Sequence, residues 1–317
     1  MSAAPLRLGL VGLGEIGHGL ALGLRDAGLV GTVAWQRDAG REHVRRRAAE
    51  AGVRLLESPQ ALGSEADLLI AVTQGSQAFE AARAIAPALR ASQLYVDLSS
   101  ASPDVKRAIE AALAERGTPF ADGVLEGSTL EHAHRVPILA SGAGASAFAD
   151  RMGPWGMRIE VIGAHAGQAS AVKLLRSVLM KGTIALLLEC LAAARAAGVD
   201  AQVIASAAQW HDALPWRANA LRIVRTTPVH AARRAEETDM ARALLESLGV
   251  DPVMTRATVD VLGRVAALGL RDALGDRSPQ TIEAAIDLMT PAVRRGGGAD
   301  ATGGGAAEGS EARGGSD

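Results

Sequence analysis

Apolar residues in the first half of the chain form short runs that are separated by longer amphipathic stretches. Apolar runs of roughly four to eight residues are typical of strands buried on both faces of a parallel sheet. The runs predict strands at residues 6–11, 31–35, 66–73, 94–98, 119–125, 137–141 and 157–162. Because the stretches between them have helical spacing, residues 1–162 are expected to form an α/β domain with a doubly wound, mostly parallel sheet.

The apolar spacing changes to the helical period after Gly163. It predicts a long helix at 167–197 and shorter helices at 200–212, 214–225, 228–248, 252–269 and 279–289. Residues 163–295 are therefore expected to form an all-helical domain. Residues 296–317 contain nine glycines and no apolar periodicity, which predicts a disordered tail.

The long helix is apolar on several faces. Its large apolar residues include Leu174, Val178, Ile184, Leu187, Leu188 and Leu191. They cannot all face solvent, so we expect the helix to be covered and the chain to form a homodimer. The stretch 178–194 is interrupted by Lys181 and Glu189, which favours a buried helix over a membrane span. Cys190, the single cysteine, is expected to be a buried core thiol.

A glycine-rich turn connects the first predicted strand to the first predicted helix. Its sequence, Gly12-Leu13-Gly14-Glu15-Ile16-Gly17, has the spacing of the dinucleotide-binding turn in a Rossmann domain. The first glycine allows the tight turn, the second lets backbone approach a pyrophosphate, and the third lets helix pack on strand. The pyrophosphate would bind the free N–H groups at the helix start. The alternative is a glycine-rich turn in another kind of α/β protein.

The end of the second predicted strand indicates which dinucleotide binds. An acidic residue at this position binds the 2′-hydroxyl of NAD and repels the 2′-phosphate of NADP. Gln36 stands there, followed by Arg37 and, one helical turn later, Arg41. These residues favour NADP over NAD, unless Asp38 reaches the ribose.

Later strand ends predict further contacts to the cofactor. Carboxyl ends of parallel strands line the ligand crevice of such sheets. Val72, Thr73 and Gln74 lie at the end of the strand predicted at 66–73 and are predicted to contact the cofactor. Ser99 and Ser100 follow the next strand, where they serve either the turn or a site beside the nicotinamide.

The overall charge and composition exclude some partners. The formal charge is −2 and aromatic residues make up 3%, so neither a basic field nor a stacking platform for nucleic acid is present. No signal peptide precedes the first strand, which predicts a cytoplasmic protein without a membrane anchor. No cluster of His, Cys, Asp and Glu has metal-ligand spacing, so no metal is predicted.

Hydride transfer also needs a group that moves a proton. Lys173 is the candidate, because it lies one or two turns into the long helix, directly after the sheet. Small residues precede it and let ligands approach. A desolvated lysine there would have a lowered pKa and could serve as acid and base. From the residues alone, a solvated surface charge is the competing interpretation.

Four segments resemble the β-hydroxyacid dehydrogenase superfamily, which includes 3-hydroxyisobutyrate and 6-phosphogluconate dehydrogenases. They are VGLGEIG at 11–17, DLSS at 97–100, FADGVLEG at 120–127 and GQASAVK at 167–173. The resemblance implies a Rossmann domain, a helical domain that dimerises, and Lys173 as general acid/base. It places Ser99 and Ser100 at a Ser-Thr pair, and Gly123, Glu126 and Gly127 on a segment that binds substrate carboxylate.

The chain also departs from the family pattern. Ala169 replaces a glycine, Ser177 an asparagine that binds substrate, Glu126 a serine, and Glu236-Glu237 a Lys-Asp pair. Arg176 shares the helix face of Lys173. We hypothesise that it binds a substrate carboxylate or phosphonate; the alternative is an ion pair across the dimer. KLLRSVLMKG and HAARRAEE resemble a less characterised branch, whose C-terminal domain is phosphogluconate-dehydrogenase-like.

The sequence therefore predicts an NADP-dependent oxidoreductase that acts on a small (3-)hydroxy acid or its oxo partner. Imine reductases share the two-domain layout but carry Asp or Tyr where Lys173 stands. Reduction of a C=N bond is the first alternative, and a non-catalytic NADP-binding protein is the second.

Overall fold

A computed structural model describes residues 6–275 and 277–294. The strands are β1 (Leu8–Val11), β2 (Val33–Trp35), β3 (Arg54–Leu55), β4 (Leu68–Ala71), β5 (Leu94–Asp97), β6 (Phe120–Leu125), β7 (Pro137–Ser141) and β8 (Arg158–Gly163). The helices of the first half are α1 (Glu15–Asp26), α2 (Glu42–Ala51), α3 (Pro59–Glu65), α4 (Ala78–Ile85), α5 (Pro103–Ala114), α6 (Thr129–His132) and α7 (Ala145–Met152). Then follow α8 (Gln168–Ala196), α9 (Asp200–Asp212), α10 (Trp216–Ser247), α11 (Val253–Ala266), α12 (Leu270–Leu274) and α13 (Ile282–Val293). The predicted tail at 296–317 lies outside the described residues.

The strands form one sheet in the order β3-β2-β1-β4-β5-β6-β7-β8. Every neighbouring pair is parallel except β6 and β7. Both faces are covered, with Leu10 and Ile70 in one apolar cluster and Val11 and Leu69 in the other. These features confirm the predicted fold class. The strand order reverses between β1 and β4, which is where doubly wound sheets bind ligands.

The chain divides into two compact units between Leu179 and Met180. The sheet unit contains the first half of α8, and the helical unit contains the second half with α9 to α13. The division falls inside α8 because the start of that helix is hydrogen-bonded to strands β6 and β7 through Asp122 and Ser141.

The helical unit differs from the prediction around Pro228. Two helices were expected there, because proline lacks an N–H and usually ends a helix. Instead α10 continues through Pro228, which is buried together with Val229. The hydroxyls of Thr226 and Thr227 donate to carbonyl oxygens one turn earlier. Burial against the rest of the unit thus outweighs the lost backbone hydrogen bond. The helix predicted at 252–269 is also shorter, and Gly269 separates α11 from α12.

The predicted burial of α8 is wrong for the single chain. Val178 is 72% exposed and Leu188 is 68% exposed, and Cys190 is exposed rather than buried. Among the described residues, α8 alone is long and apolar enough to cross a membrane, a test that core helices also pass. Only 11% of its most apolar window is buried.

Glu189 on α8 caps α11 within the helical unit. Its carboxylate accepts hydrogen bonds from the N–H groups of Met254 at 2.7 Å and Thr255 at 3.0 Å, and from the Thr255 hydroxyl. Burial alone would raise the pKa of Glu189, but these hydrogen bonds outweigh burial and hold the pKa below its ordinary value. The ionised carboxylate therefore stabilises the folded unit.

Replacing Glu189 with alanine should lower the free energy of unfolding by about 1 kcal/mol at neutral pH, because the start of α11 loses its cap. Since the folded pKa is depressed, the contribution is present above about pH 4.3 and is lost as the pH falls through the folded pKa. Urea denaturation at pH 7 and near pH 3 tests this prediction. Glu236→Ala, an exposed glutamate on α10, is the control. Equal destabilisation by E189A at both pH values would contradict it.

Candidate active site

The glycine turn leaves room for a ligand at one position only. Gly12 has φ +102° and donates its N–H to the carbonyl of Trp35 at 2.9 Å. A Cβ on Gly17 would overlap the carbonyl oxygen of Gly12, so the start of α1 packs directly on the turn. A Cβ on Gly14 would have no atom within 4 Å. The turn therefore fits the approach of a pyrophosphate at Gly14, and no side chain caps the first turn of α1.

A cleft of about 290 Å³ extends from this turn to the end of β2. It is lined by Gly12, Gly14, Trp35, Gln36, Arg37, Asp38, Val72, Thr73, Gln74, Gln77 and Ala81. The Gln36 side chain accepts a hydrogen bond from the N–H of Leu13 at 2.8 Å. Gln36 thus holds the glycine turn in place besides lining the cleft, while the Leu13 side chain lies in the core.

The charges at the cleft include one acid. Arg37 and Asp38 both line it, and Arg41 forms an ion pair with Asp38 at 3.2 Å. Arg41 itself is not among the lining residues. Asp38, the acid considered as a ribose ligand, therefore lines the cleft but is paired with Arg41. Arg37 is exposed at the cleft.

A second cleft, of about 420 Å³, continues from the first along the carboxyl edge of the sheet. It is lined by Gly14, Glu15, Ile16, Val72, Thr73, Gln74, Gly75, Leu98, Ser99, Ser100, Leu125 and Lys173. Four of these residues, Gly14 and Val72 to Gln74, also line the first cleft. The Thr73 hydroxyl is buried without a hydrogen-bond partner. The two clefts together have the continuity that an extended dinucleotide requires.

Lys173 reaches the second cleft from α8. Its Nζ donates a hydrogen bond to the carbonyl oxygen of Leu125 at 3.1 Å, and its side chain is half-buried. Burial lowers the pKa of Lys173, the positive charges of Arg176 and Lys106 lower it further, and Glu126 opposes them. The amine is thus held in place at the cleft, with its neutral form favoured relative to an exposed lysine.

Arg176 forms an ion pair with Glu126 of the same chain. One oxygen of Glu126, Oε1, is buried without a partner. Glu126, which replaces the family's serine, is therefore neutralised by Arg176, one helical turn after Lys173. This ion pair lies within the chain, and the ion pair across a dimer that was the alternative for Arg176 stays a prediction.

Five predicted substrate residues do not line the clefts: Glu126 and Arg176, which form the ion pair described above, and Gly123, Gly127 and Ser177. Gly123 is buried in β6, where a Cβ would overlap the Leu98 side chain. Gly127 is exposed beyond the strand, and Ser177 is half-buried on α8. The family motif placed these residues near the site by sequence position, whereas packing in the folded chain decides which of them reach it.

Comparison with known proteins shows the family to which the chain belongs. Residues 7–153 match the family model described as the NAD binding domain of 6-phosphogluconate dehydrogenase, and residues 194–265 match a domain of unknown function (DUF1932). A conserved protein of unknown function, reported as structurally similar to 3-hydroxyacid dehydrogenases, is 30% identical. The match covers 84% of this chain and 98% of that one, with a TM-score of 0.59. The chain belongs to the hydroxyacid dehydrogenase-like family of NAD(P)-dependent oxidoreductases.

The comparisons also include a curated relative and a solved structure. L-threonate dehydrogenase from Cupriavidus necator is 28% identical over 200 residues, which is 61% of this chain and 66% of that protein. The V8 variant of an imine reductase from Myxococcus stipitatus, in complex with NAD+, is 19% identical and has a TM-score of 0.72 over 92% of this chain and 100% of that chain. At that identity the likeness concerns the fold alone.

One part of this dehydrogenase-like site was not predicted from the sequence. A buried network joins Asp97, Lys106 and Asp122, and all three side chains are fully buried. A signal for it exists in the sequence of α5. Lys106 shares the apolar stripe of Ile109 and Leu113, at the helical spacing, and all three are buried. A lysine on an apolar stripe needs buried partners, and the strand ends carry the acids that supply them.

Proposed function

We propose that this protein is an NADP-dependent dehydrogenase of a small (3-)hydroxy acid, with Lys173 as its general acid/base. The observation that carries the proposal is the position of the Lys173 amine. It lies at the cleft between Ser99, Ser100 and the glycine turn, half-buried and oriented by the carbonyl of Leu125.

The bound dinucleotide supplies the acceptor and donor of the hydride. In the oxidation, the neutral amine of Lys173 takes the proton of the substrate hydroxyl as the carbinol carbon loses hydride. In the reduction, its ammonium form returns that proton to the oxo group. Because burial lowers the pKa of Lys173, more of the amine is neutral near physiological pH than in an exposed lysine.

A substrate carboxylate has donors available near this amine. The Ser100 hydroxyl is exposed at the cleft. Arg176 uses one nitrogen, Nη1, for Glu126, and its guanidinium has further N–H donors. We assign these two side chains to the carboxylate, as the hypothesis for Arg176 requires.

The decisive experiment offers the protein both substrate classes. NADP+ with a panel of 3-hydroxy acids and L-threonate should give NADPH, followed by its absorbance. Cyclic imines with NADPH are the second arm. Turnover of imines alone would replace the proposal with C=N reduction. Binding of NADPH without turnover in either arm would indicate a non-catalytic NADP-binding protein.

The preference for NADP is the proposal's second element, since the family binds both cofactors. Arg37→Ala should raise KM for NADP+ about tenfold and leave KM for NAD+ nearly unchanged, because one charge-assisted contact to the 2′-phosphate is lost. Arg45→Ala, an exposed arginine that does not line the cleft, is the control. A parallel change for both cofactors in R37A would argue against a 2′-phosphate contact.

We further propose that the protein is a cytoplasmic homodimer that uses the apolar face of α8. The exposure of Val178 and Leu188 supports the dimer, because monomers rarely expose so large an apolar patch. The single cysteine excludes an internal disulfide and suits a reducing compartment.

Light scattering tests the dimer. The chain mass of 32.5 kDa predicts twice that value, about 65 kDa, for the wild type. Leu188→Glu should give the monomer mass, because it buries a charge in the interface. Val30→Glu, at an exposed valine in the sheet unit, should stay dimeric. A wild-type protein of 32.5 kDa at micromolar concentration would refute the proposal.

A further inference from the structure

Lys106 connects two parts of the protein that border the second cleft: the Ser99–Ser100 turn and the start of α8, which carries Lys173. Its Nζ donates to Oδ1 of Asp97 at 2.6 Å and to the Asp97 carbonyl at 2.7 Å, and it lies 3.2 Å from Oδ1 of Asp122. We propose that Lys106, which does not line the cleft, is a positioning residue that fixes where Ser99 and Lys173 lie relative to each other. The inference rests on the proposed function, because it assigns Lys106 a role in the same reaction.

The first connection runs from Lys106 through Asp97 to the Ser99–Ser100 turn. Oδ1 of Asp97 accepts hydrogen bonds from both the N–H and the hydroxyl of Ser99. Ser99 is buried, so its hydroxyl is oriented by this carboxylate and not by solvent. The Ser99–Ser100 turn therefore takes its conformation at the cleft from the pair that Asp97 forms with Lys106.

The second connection runs through Asp122 to the helix that carries Lys173. Oδ2 of Asp122 accepts the N–H groups of Gly167 and Ser170, each at 3.0 Å, and Oδ1 accepts the Ser170 hydroxyl at 2.7 Å. Asp122 thus binds N–H groups at the start of α8, which otherwise lack intrahelical partners. Ser170 lies one turn before Lys173, so the position of Asp122 sets where the Lys173 amine enters the cleft.

The ammonium of Lys106 is the positive partner that Asp97 and Asp122 share. Asp97 and Asp122 are completely buried, and two buried carboxylates repel each other without a shared positive partner. The charged groups that act on Lys173 are Glu126, Arg176 and Lys106. Lys106 therefore affects the Lys173 amine in two ways, by position and by charge.

The test measures the Lys173 amine directly and needs no substrate. Full-length protein is acylated with acetic anhydride over a pH range, and the Lys173 peptide is quantified against a reference peptide by mass spectrometry. The variants are Lys106→Met, which removes the charge, and Ser170→Ala, which removes only the hydroxyl hydrogen bond between α8 and Asp122. Ser58→Ala, which removes the cap of α3 outside the clefts, is the matched control.

We expect the acylation midpoint of Lys173 to rise in K106M, because a neighbouring positive charge is lost, and to rise by a smaller amount in S170A. S58A should leave it unchanged. In turnover, S170A should lower kcat about tenfold and leave KM for NADP+ within about twofold. An unchanged midpoint in S170A overturns the inference even if K106M fails to fold. A wild type that turns over no acid refutes the proposed function instead, since labelling does not depend on turnover.

Discussion

Lys173→Met is expected to lower kcat by about 10³-fold with Kd for NADPH almost unchanged. The magnitude is that of losing a general acid/base. Cofactor affinity should persist because the glycine turn and the first cleft, which lie apart from this side chain, supply most of its contacts. Stopped-flow turnover and fluorescence titration of NADPH measure the two quantities separately.

Two further variants show whether the proton or the positive charge matters. Lys173→Arg keeps the charge, but guanidinium does not deprotonate near neutral pH, so it should be as inactive as K173M. Lys181→Met changes an exposed lysine further along α8 and should retain activity. Wild-type kcat/KM for oxidation should rise with pH through the lowered pKa of Lys173 and then level off. Substantial turnover by K173R would exclude the acid/base role.

Gly14→Ala and Gly17→Ala should separate cofactor binding from folding. A Cβ at Gly17 overlaps the Gly12 carbonyl, so G17A should lower the free energy of unfolding of the apoprotein by about 2 kcal/mol or more. A Cβ at Gly14 meets no protein atom, so G14A should keep the apoprotein stable and raise Kd for NADPH at least about tenfold.

Thermal denaturation with and without NADPH distinguishes these outcomes. G14A should melt with the wild-type apoprotein and gain little from added NADPH. Gly153→Ala, at another glycine with open space but outside the clefts, should behave as the wild type in both conditions. If G14A binds NADPH with wild-type affinity, the pyrophosphate does not approach the turn at this residue.

The sheet could be predicted from the sequence because its strands are buried on both faces, and such strands are continuous apolar runs. The helical unit was harder to predict. Pro228 normally ends a helix, and only its burial explains why α10 continues. The exposed state of Cys190 was also not predictable, because an apolar stripe indicates that a face is covered but not whether the same chain covers it.

The candidate site, too, could be predicted from the sequence only in part. Lys173, Ser99 and the glycine turn follow strand ends and helix starts, and these positions can be read from local pattern. The pair between Arg176 and Glu126, and the burial of Lys106 between Asp97 and Asp122, depend on which side chains meet in space. Residues 97 and 122 are far apart in sequence, so no local signal joins them.

The hydrogen bond between Gln36 and Leu13 limits how the coenzyme preference could be redesigned. Aspartate at residue 36 would add the carboxylate that suits NAD, but its side chain is one methylene shorter than glutamine. It would withdraw the acceptor from Leu13 and loosen the glycine turn on which either coenzyme depends. Asp38 already offers a carboxylate at the same cleft, restrained by Arg41. A designer seeking an NAD-dependent variant should therefore leave residue 36 alone and free that acid by substituting Arg41.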